Sequence, residues 1–317
     1  MRRVRANVKH WVVTGGAGFI GSHIVKELVS LGQRVTVVDN FSSGAASNLA
    51  DVKKHIRLVE ADVRELPALL KAFKGADYVL HHAALVSVPR SVEEPLDTWR
   101  INVTGTANVL EAARRTGVKR VVFASSCSVY GTSSKPCKET NPKKPGSPYA
   151  LSKQIGEELC RFYTAVYGLE TVCLCYFNVY GPGQNPHAPY SAVIAKFLDL
   201  ARRGETLSVE WDGRQSRDFI AVEDVARANV LAARKGKPGE TYNVAFGGSH
   251  SLLALIRLIE RISGKKLARV FKPKRAGDVR TSSADISKFK RLGFTPRVAL
   301  KDGLLRLWQT AAALPKN

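Results

Sequence analysis

The chain has 317 residues, 44% hydrophobic and 24% charged, an ordinary globular composition with length for one large α/β unit or two joined domains. Disorder, collagen and disulfide scaffolds are excluded, and without a run of about 18 apolar residues no membrane span is expected. The balance of 49 Lys+Arg against 27 Asp+Glu gives a net charge of +22, which attracts polyanions. The basic residues are spread along the chain, which favours a solvated basic surface over a nucleic-acid platform.

The first ten residues hold no apolar segment fit for export, so a cytoplasmic protein is expected. Cys127, Cys137, Cys160, Cys173 and Cys175 include no C-x-x-C pair and no histidine at zinc spacing. Reduced thiols and no metal site are expected, with Cys173 and Cys175 on one face of a buried strand.

Val- and Ile-rich runs at His10 to Thr14, Arg34 to Val38, Ile56 to Glu60, Tyr78 to His81, Arg120 to Ala124 and Thr171 to Tyr176 read as strands, with helical periods between them. Continuous apolar strands alternating with helices predict a doubly wound (Rossmann) parallel sheet, α/β in class. After about Asn178, Gly/Pro-rich loops separate short helices and isolated strands. The division is residues 1–177 for a dinucleotide-binding domain carrying the catalytic residues, and 178–317 for a smaller α/β substrate lobe, with crossing back between them allowed. Ligands in such folds sit beyond the carboxyl ends of the strands.

The first strand runs into Gly15, Gly18 and Gly21, spaced for a tight turn that brings backbone N–H groups and a helix N-terminus to a pyrophosphate. The second strand ends in Asp39, whose carboxylate suits a ribose hydroxyl pair and repels a 2′-phosphate, so NAD is expected rather than NADP. Asp62 and Val63 follow the third strand, and Ala83 and Ala84 the fourth. These loops would flank adenine and the nicotinamide ribose.

The fifth strand leads into Ser125-Ser126-Cys127-Ser128-Val129-Tyr130-Gly131. Tyr149 and Lys153, four apart, share a face of a helix running from Pro148 to Tyr167. An ammonium beside a phenol lowers its pKa towards that of a general base. Ser126 is the serine chosen to hydrogen-bond the same substrate hydroxyl as Tyr149.

These motifs, with Tyr176-Phe177-Asn178-Val179-Tyr180-Gly181, resemble an extended short-chain dehydrogenase/reductase over nearly the whole chain. Within it the chain is most similar to the nucleotide-sugar 4-epimerases, particularly those acting on UDP-N-acetylglucosamine. The resemblance implies an isomerase with tightly bound NAD: Tyr149 takes the 4-hydroxyl proton as hydride leaves C4, a 4-keto sugar turns over, and hydride returns to the other face. It adds Phe19, Ile20, Asn40, Gly44, Tyr149, Lys153 and Tyr176 to the cofactor site. It assigns Ser87, Ser126, Tyr149, Asn178, Val193, Arg217 and Arg275 to the substrate, with Asp278 on a ribose hydroxyl.

Relatives that dehydrate or decarboxylate the sugar carry an acid just into the serine loop, where this chain has Cys127 and Ser128. Epimerisation is therefore favoured. A bulky gate Tyr in the family excludes N-acetyl sugars; Ser282 stands there. Gly181-Pro182-Gly183-Gln184 departs from the basic Gly-Pro-Arg-Gln of uronic-acid epimerases, and UDP-glucose is kept as a further substrate. Glu210-Trp211 departs from the usual pattern on the uracil side. A non-catalytic, polyanion-binding member of the fold is the other alternative, against which the intact Ser126, Tyr149 and Lys153 argue. A homodimer is implied, with helices from Asn102 to Thr116 and Pro148 to Tyr167 forming a four-helix bundle.

Overall fold

The computed structural model describes residues 8–186, 193–274 and 279–312. Its first strands are β1 (His10–Thr14), β2 (Arg34–Asp39), β3 (Ile56–Glu60), β4 (Tyr78–His81), β5 (Arg120–Ser126) and β6 (Glu170–Tyr176). The later ones are β7 (Val179–Tyr180), β8 (Leu207–Glu210), β9 (Ser216–Arg217), β10 (Ile220–Ala221), β11 (Thr241–Val244), β12 (His250–Ser251), β13 (Arg269–Lys272) and β14 (Thr281–Ser282). Seven form one sheet in the order β11-β6-β5-β4-β1-β2-β3, every neighbouring pair parallel. The order reverses between β1 and β4, which opens a crevice at their carboxyl ends.

Both faces of this sheet are covered except along edge strand β3, and the covered strands are rich in apolar residues. Successive side chains point to opposite faces. Val12, Val79, Val121 and Phe123 pack with Leu69, Val109, Leu110 and Cys160 from the helices Leu66–Ala72, Gly105–Arg115 and Pro148–Tyr167. Trp11, Val13, Val37 and Leu80 face Ile24, Leu28 and Val225 from Phe19–Ser30 and Val222–Lys235. Each such fully buried aliphatic side chain contributes about 1.5–3 kcal/mol.

The chain does not leave this layer at residue 178. Strand β11 returns from downstream to pair with β6, Thr241 opposite Cys173 and Val244 opposite Tyr176. The rest of the second lobe is a three-stranded sheet, β12-β9-β14, with the pairs β7–β10 and β8–β13. Its own core gathers Phe197, Leu207, Val209, Leu255, Ile256 and Ile259. Among the described residues no helix is long and apolar enough to cross a membrane. All five cysteines are free, four of them buried.

Candidate active site

The glycine loop is a cradle that side chains would fill. Gly15 has φ +67°, in the left-handed region that favours glycine, and a Cβ on it would lie 2.6 Å from the Ala83 nitrogen. A Cβ on Gly21 would lie 2.1 Å from the Gly15 carbonyl oxygen. Gly18 caps the helix Phe19–Ser30, and no side chain bonds to its first-turn amides. Those N–H groups have no intrahelical partner, and with the helix dipole they form an anion site. Phe19 and Ile20 are half-buried in that first turn.

At the end of β2, buried Asp39 accepts from the Ala17 and Phe41 amides, each at 2.8 Å. A carboxylate has about four acceptor positions, so this pins it to the glycine loop and leaves capacity for a ribose. Asn40 donates to Asp62 at 2.7 Å. Asp62 is also gripped by Arg64 (2.9 and 2.8 Å), whose hydrogen bonds hold its carboxyl down at about 2. Gly44 packs so closely on Ala17 that a Cβ there would sit 2.8 Å from its carbonyl carbon. Val63 is buried against Gly105. Ala83 and Ala84, half-buried, follow β4 beside Gly15. Glycines that clear the approach, a helix terminus for a pyrophosphate and an acid for an unphosphorylated ribose together fit NAD.

Strand alternation puts Ser126 and Ser125 on opposite sides of β5. The Ser126 hydroxyl accepts from Ser128 Oγ at 3.0 Å and is near enough to the Tyr149 hydroxyl to lower its pKa. Tyr149 sits in the first turn of Pro148–Tyr167, started by Ser147, whose Oγ accepts from the Ala150 amide at 3.1 Å. The Tyr149 amide donates to Ser91 Oγ at 3.1 Å. One turn on, Lys153 is 5% exposed, its Nζ 5.9 Å from the Tyr149 ring centre and 5.1 Å from that of Phe123.

The expectation that Lys153 brings the phenol down is corrected here. Burial pushes Tyr149 up to about 12, opposed by the nearby Ser126 hydroxyl. Burial also draws Lys153 down to about 8, so it still carries its charge at pH 7. Desolvation of the enclosed phenol is the largest influence on Tyr149 in the protein alone.

Several of the residues expected to meet the substrate gather at the three-stranded sheet. Register places Ser282 of β14 beside Arg217 of β9. The Ser282 hydroxyl points to Cys127 Sγ at 3.7 Å, and the Arg217 charge is felt by that thiol. Arg217 also donates to the Val279 carbonyl at 3.0 Å. Asn178, with φ +32°, donates to the Asp218 carbonyl at 2.9 Å. Asn178, Arg217 and Ser282 thus share one neighbourhood with the turn after Ser126. Val193 starts the helix Val193–Arg203. Ser87 caps the helix Val88–Glu93, its hydroxyl accepting from the Arg90 amide at 3.2 Å. Arg275 and Asp278 lie outside the described residues. Tyr176 is enclosed, its hydroxyl 2.9 Å from His82 Nε2 and 2.8 Å from Asn229 Nδ2.

Asn102 gave no sequence signal for a place at the site, whereas Trp211 was singled out as a departure on the uracil side. Asn102 bridges the loop after β4 and the catalytic helix, accepting from the Leu85 amide (2.8 Å) and donating to the Leu85 carbonyl and Ser152 Oγ (3.0 Å each). Trp211, at φ +59°, lies under two cations, Lys274 Nζ at 4.6 Å and Arg280 Cζ at 4.7 Å. Arg280 is clamped by Asp212 at 2.7 and 2.9 Å.

Known proteins resemble this chain over most of its length. Residues 11–245 match the NAD dependent epimerase/dehydratase family. A putative UDP-glucose 4-epimerase of Methanocaldococcus jannaschii is 38% identical over 299 residues, 93% of this chain and 96% of that protein. A UDP-N-acetylglucosamine 4-epimerase from Methanobrevibacter ruminantium, solved with UDP-N-acetylmuramic acid, superposes with a TM-score of 0.92 at 37% identity, covering 97% of this chain and 100% of that one. The Thermotoga maritima UDP-glucose 4-epimerase, solved with UDP-glucose, gives 0.91 at 38% identity over 96% and 99%. The chain therefore belongs to the NAD dependent epimerase/dehydratase family, and within it to the UDP-sugar 4-epimerases.

Proposed function

We propose that the protein interconverts UDP-N-acetylglucosamine and UDP-N-acetylgalactosamine, and accepts UDP-glucose and UDP-galactose as well. The observation that carries the sugar assignment is Ser282, a small side chain 3.7 Å from Cys127 where a large one would narrow the pocket beside the catalytic turn. The turn Cys127–Tyr130 carries no carboxylate, which leaves elimination and decarboxylation without an acid or base beside Ser126 and supports epimerisation. Solved relatives named for UDP-N-acetylglucosamine and for UDP-glucose are about equally similar to this chain, in keeping with a pocket that admits both.

Tyr149 takes the 4-hydroxyl proton and later returns it, while Ser126 holds that hydroxyl in line. Lys153 holds positive charge next to the phenol. NAD, which the glycine loop and Asp39 would hold, would supply the acceptor and donor for the C4 hydride. Arg217, with Arg275, meets the two phosphates, for which fixed guanidinium donors are suited. Asn178 faces the sugar-proximal phosphate and Asp278 a ribose hydroxyl. The 4-keto sugar stays enclosed between turns about its diphosphate linkage, so nothing external is oxidised or reduced.

We further propose a cytoplasmic homodimer. Leu96, Phe162, Val166 and Tyr167 are exposed, the last three on the catalytic helix, and a second copy would bury them. Sedimentation velocity reads this directly: a monomer at micromolar concentration would remove the dimer.

Incubation with each UDP-sugar in turn and no added NAD, followed by separation of the products, tests the assignment. UDP-N-acetylgalactosamine formed from UDP-N-acetylglucosamine supports it. UDP-galactose as the sole product across both incubations overturns the N-acetyl assignment and keeps the chemistry.

A further inference from the structure

Glu157 is fully buried on the catalytic helix, eight residues and so two turns beyond Tyr149, in step with Tyr149 and Lys153. A carboxylate this deep costs free energy unless its partners are complete, and its partners come from four separate pieces of chain. Ser125 Oγ of β5 donates to Oε1 at 2.5 Å, and Thr241 Oγ1 of β11 to Oε2 at 3.2 Å. The Lys143 ammonium, from the loop that leads into the helix, pairs with Oε2, and Arg161 lies at 3.8 Å. A second observation concerns the same contact. Gly156 sits against Phe123 so closely that a Cβ would fall 2.3 Å from the ring's Cζ, and the Lys153 ammonium rests over that same ring. Gly156 lets the helix descend onto β5, and Glu157 bonds it there through the residue next to Ser126.

We propose that Glu157 is a positioning residue for the reaction: through Ser125 it fixes the end of β5, and hence Ser126, against Tyr149, with Lys143 balancing its charge. This rests on the 4-epimerase reading for its kinetic consequence. Its structural consequence stands apart from any turnover.

The test compares Ser125→Ala, Glu157→Met and Glu157→Gln with wild type, all as full-length protein with NAD. On a UDP-hexose that the wild type epimerises, Ser125→Ala should lower kcat about five- to twentyfold with KM within about twofold. Glutamine can still accept from Ser125, so Glu157→Gln should recover at least fivefold of the kcat lost in Glu157→Met. Wild-type kcat in folded Ser125→Ala, or equal loss in the Gln and Met variants, would overturn the proposal, as would losses that simply follow the fraction unfolded. Crystal structures of wild type and Ser125→Ala give the readout that needs no turnover. The two hydroxyls of Ser126 and Tyr149 should lie close together in the first and further apart in the second, and an unchanged separation in Ser125→Ala sinks the idea even if no sugar is turned over.

Discussion

Replacing Gly21 with Ala tests the cofactor cradle most sharply. The added Cβ would fall 2.1 Å from the Gly15 carbonyl oxygen and 2.8 Å from the Gly16 Cα, both backbone atoms that cannot swing aside. Relief to ordinary contact needs more than an ångström of movement. The loop resists it, because the Gly15 amide is tied to the Val38 carbonyl at 2.8 Å and the Gly18 amide to the Gly15 carbonyl at 3.1 Å. Overpacking of this kind costs about 1–3 kcal/mol, and each 1.4 kcal/mol is tenfold in affinity, so NAD binding should weaken about 10- to 100-fold. Purified Gly21→Ala should carry little NAD by absorbance and mass, and titration with NAD should give the raised Kd. Gly32→Ala is the control: φ is +67° but nothing lies within 4 Å of a Cβ there, so it should lose about 1–2 kcal/mol of stability to backbone strain and keep its NAD. Wild-type NAD content and Kd in Gly21→Ala would refute the cradle as drawn.

Other expectations follow from the same site. Tyr149→Phe removes the group that exchanges the 4-hydroxyl proton, and kcat should fall about 100- to 10,000-fold while bound NAD and the melting temperature stay close to wild type; activity within tenfold would move the base elsewhere. Burial holds Lys153 at about 8 in the folded protein against an ordinary value of 10.5. The unfolded chain therefore binds the proton more strongly between pH 8 and 10.5, stability rises with pH through that window, and below pH 8 the full cost, of order 3 kcal/mol, is present. Lys153→Met should accordingly melt a few degrees higher at pH 7, with a gain that shrinks towards pH 10.5, and lose activity; a lower melting temperature at both pH values contradicts this. Ser282→Tyr should cut kcat/KM for UDP-N-acetylglucosamine at least tenfold more than for UDP-glucose, and equal losses on the two sugars would remove Ser282 from the gate.

The doubly wound sheet was legible because most of its strands are buried on both faces and so read as apolar runs: β1 and β4 match the runs to the residue, β5 and β6 extend one or two residues further, and β3, a partly exposed edge strand, was found from its Ile, Leu and Val alone. Strand β11 was not legible. Thr241-Tyr242-Asn243-Val244 has no apolar run, and its place is set by partners about seventy residues earlier in the chain. The glycine loop, Asp39, Tyr149 and Lys153 could be found because short-range spacing fixes their geometry. Glu157 and Asn102 could not, since an acid and an amide in helices read as solvent-facing until long-range packing closes over them. The direction of the Tyr149 shift was not legible for the same reason: spacing shows the neighbouring ammonium but not the burial that pushes the phenol up.

The central claim, reversible oxidation at C4 with the hydride retained, is tested most directly with UDP-N-acetylglucosamine carrying deuterium at C4, incubated in ordinary water with the purified protein. The account predicts UDP-N-acetylgalactosamine with the deuterium still at C4 and no solvent hydrogen at C4 or C5. Loss of the label to solvent, exchange at C5, or release of a 4-keto-6-deoxy sugar would contradict it.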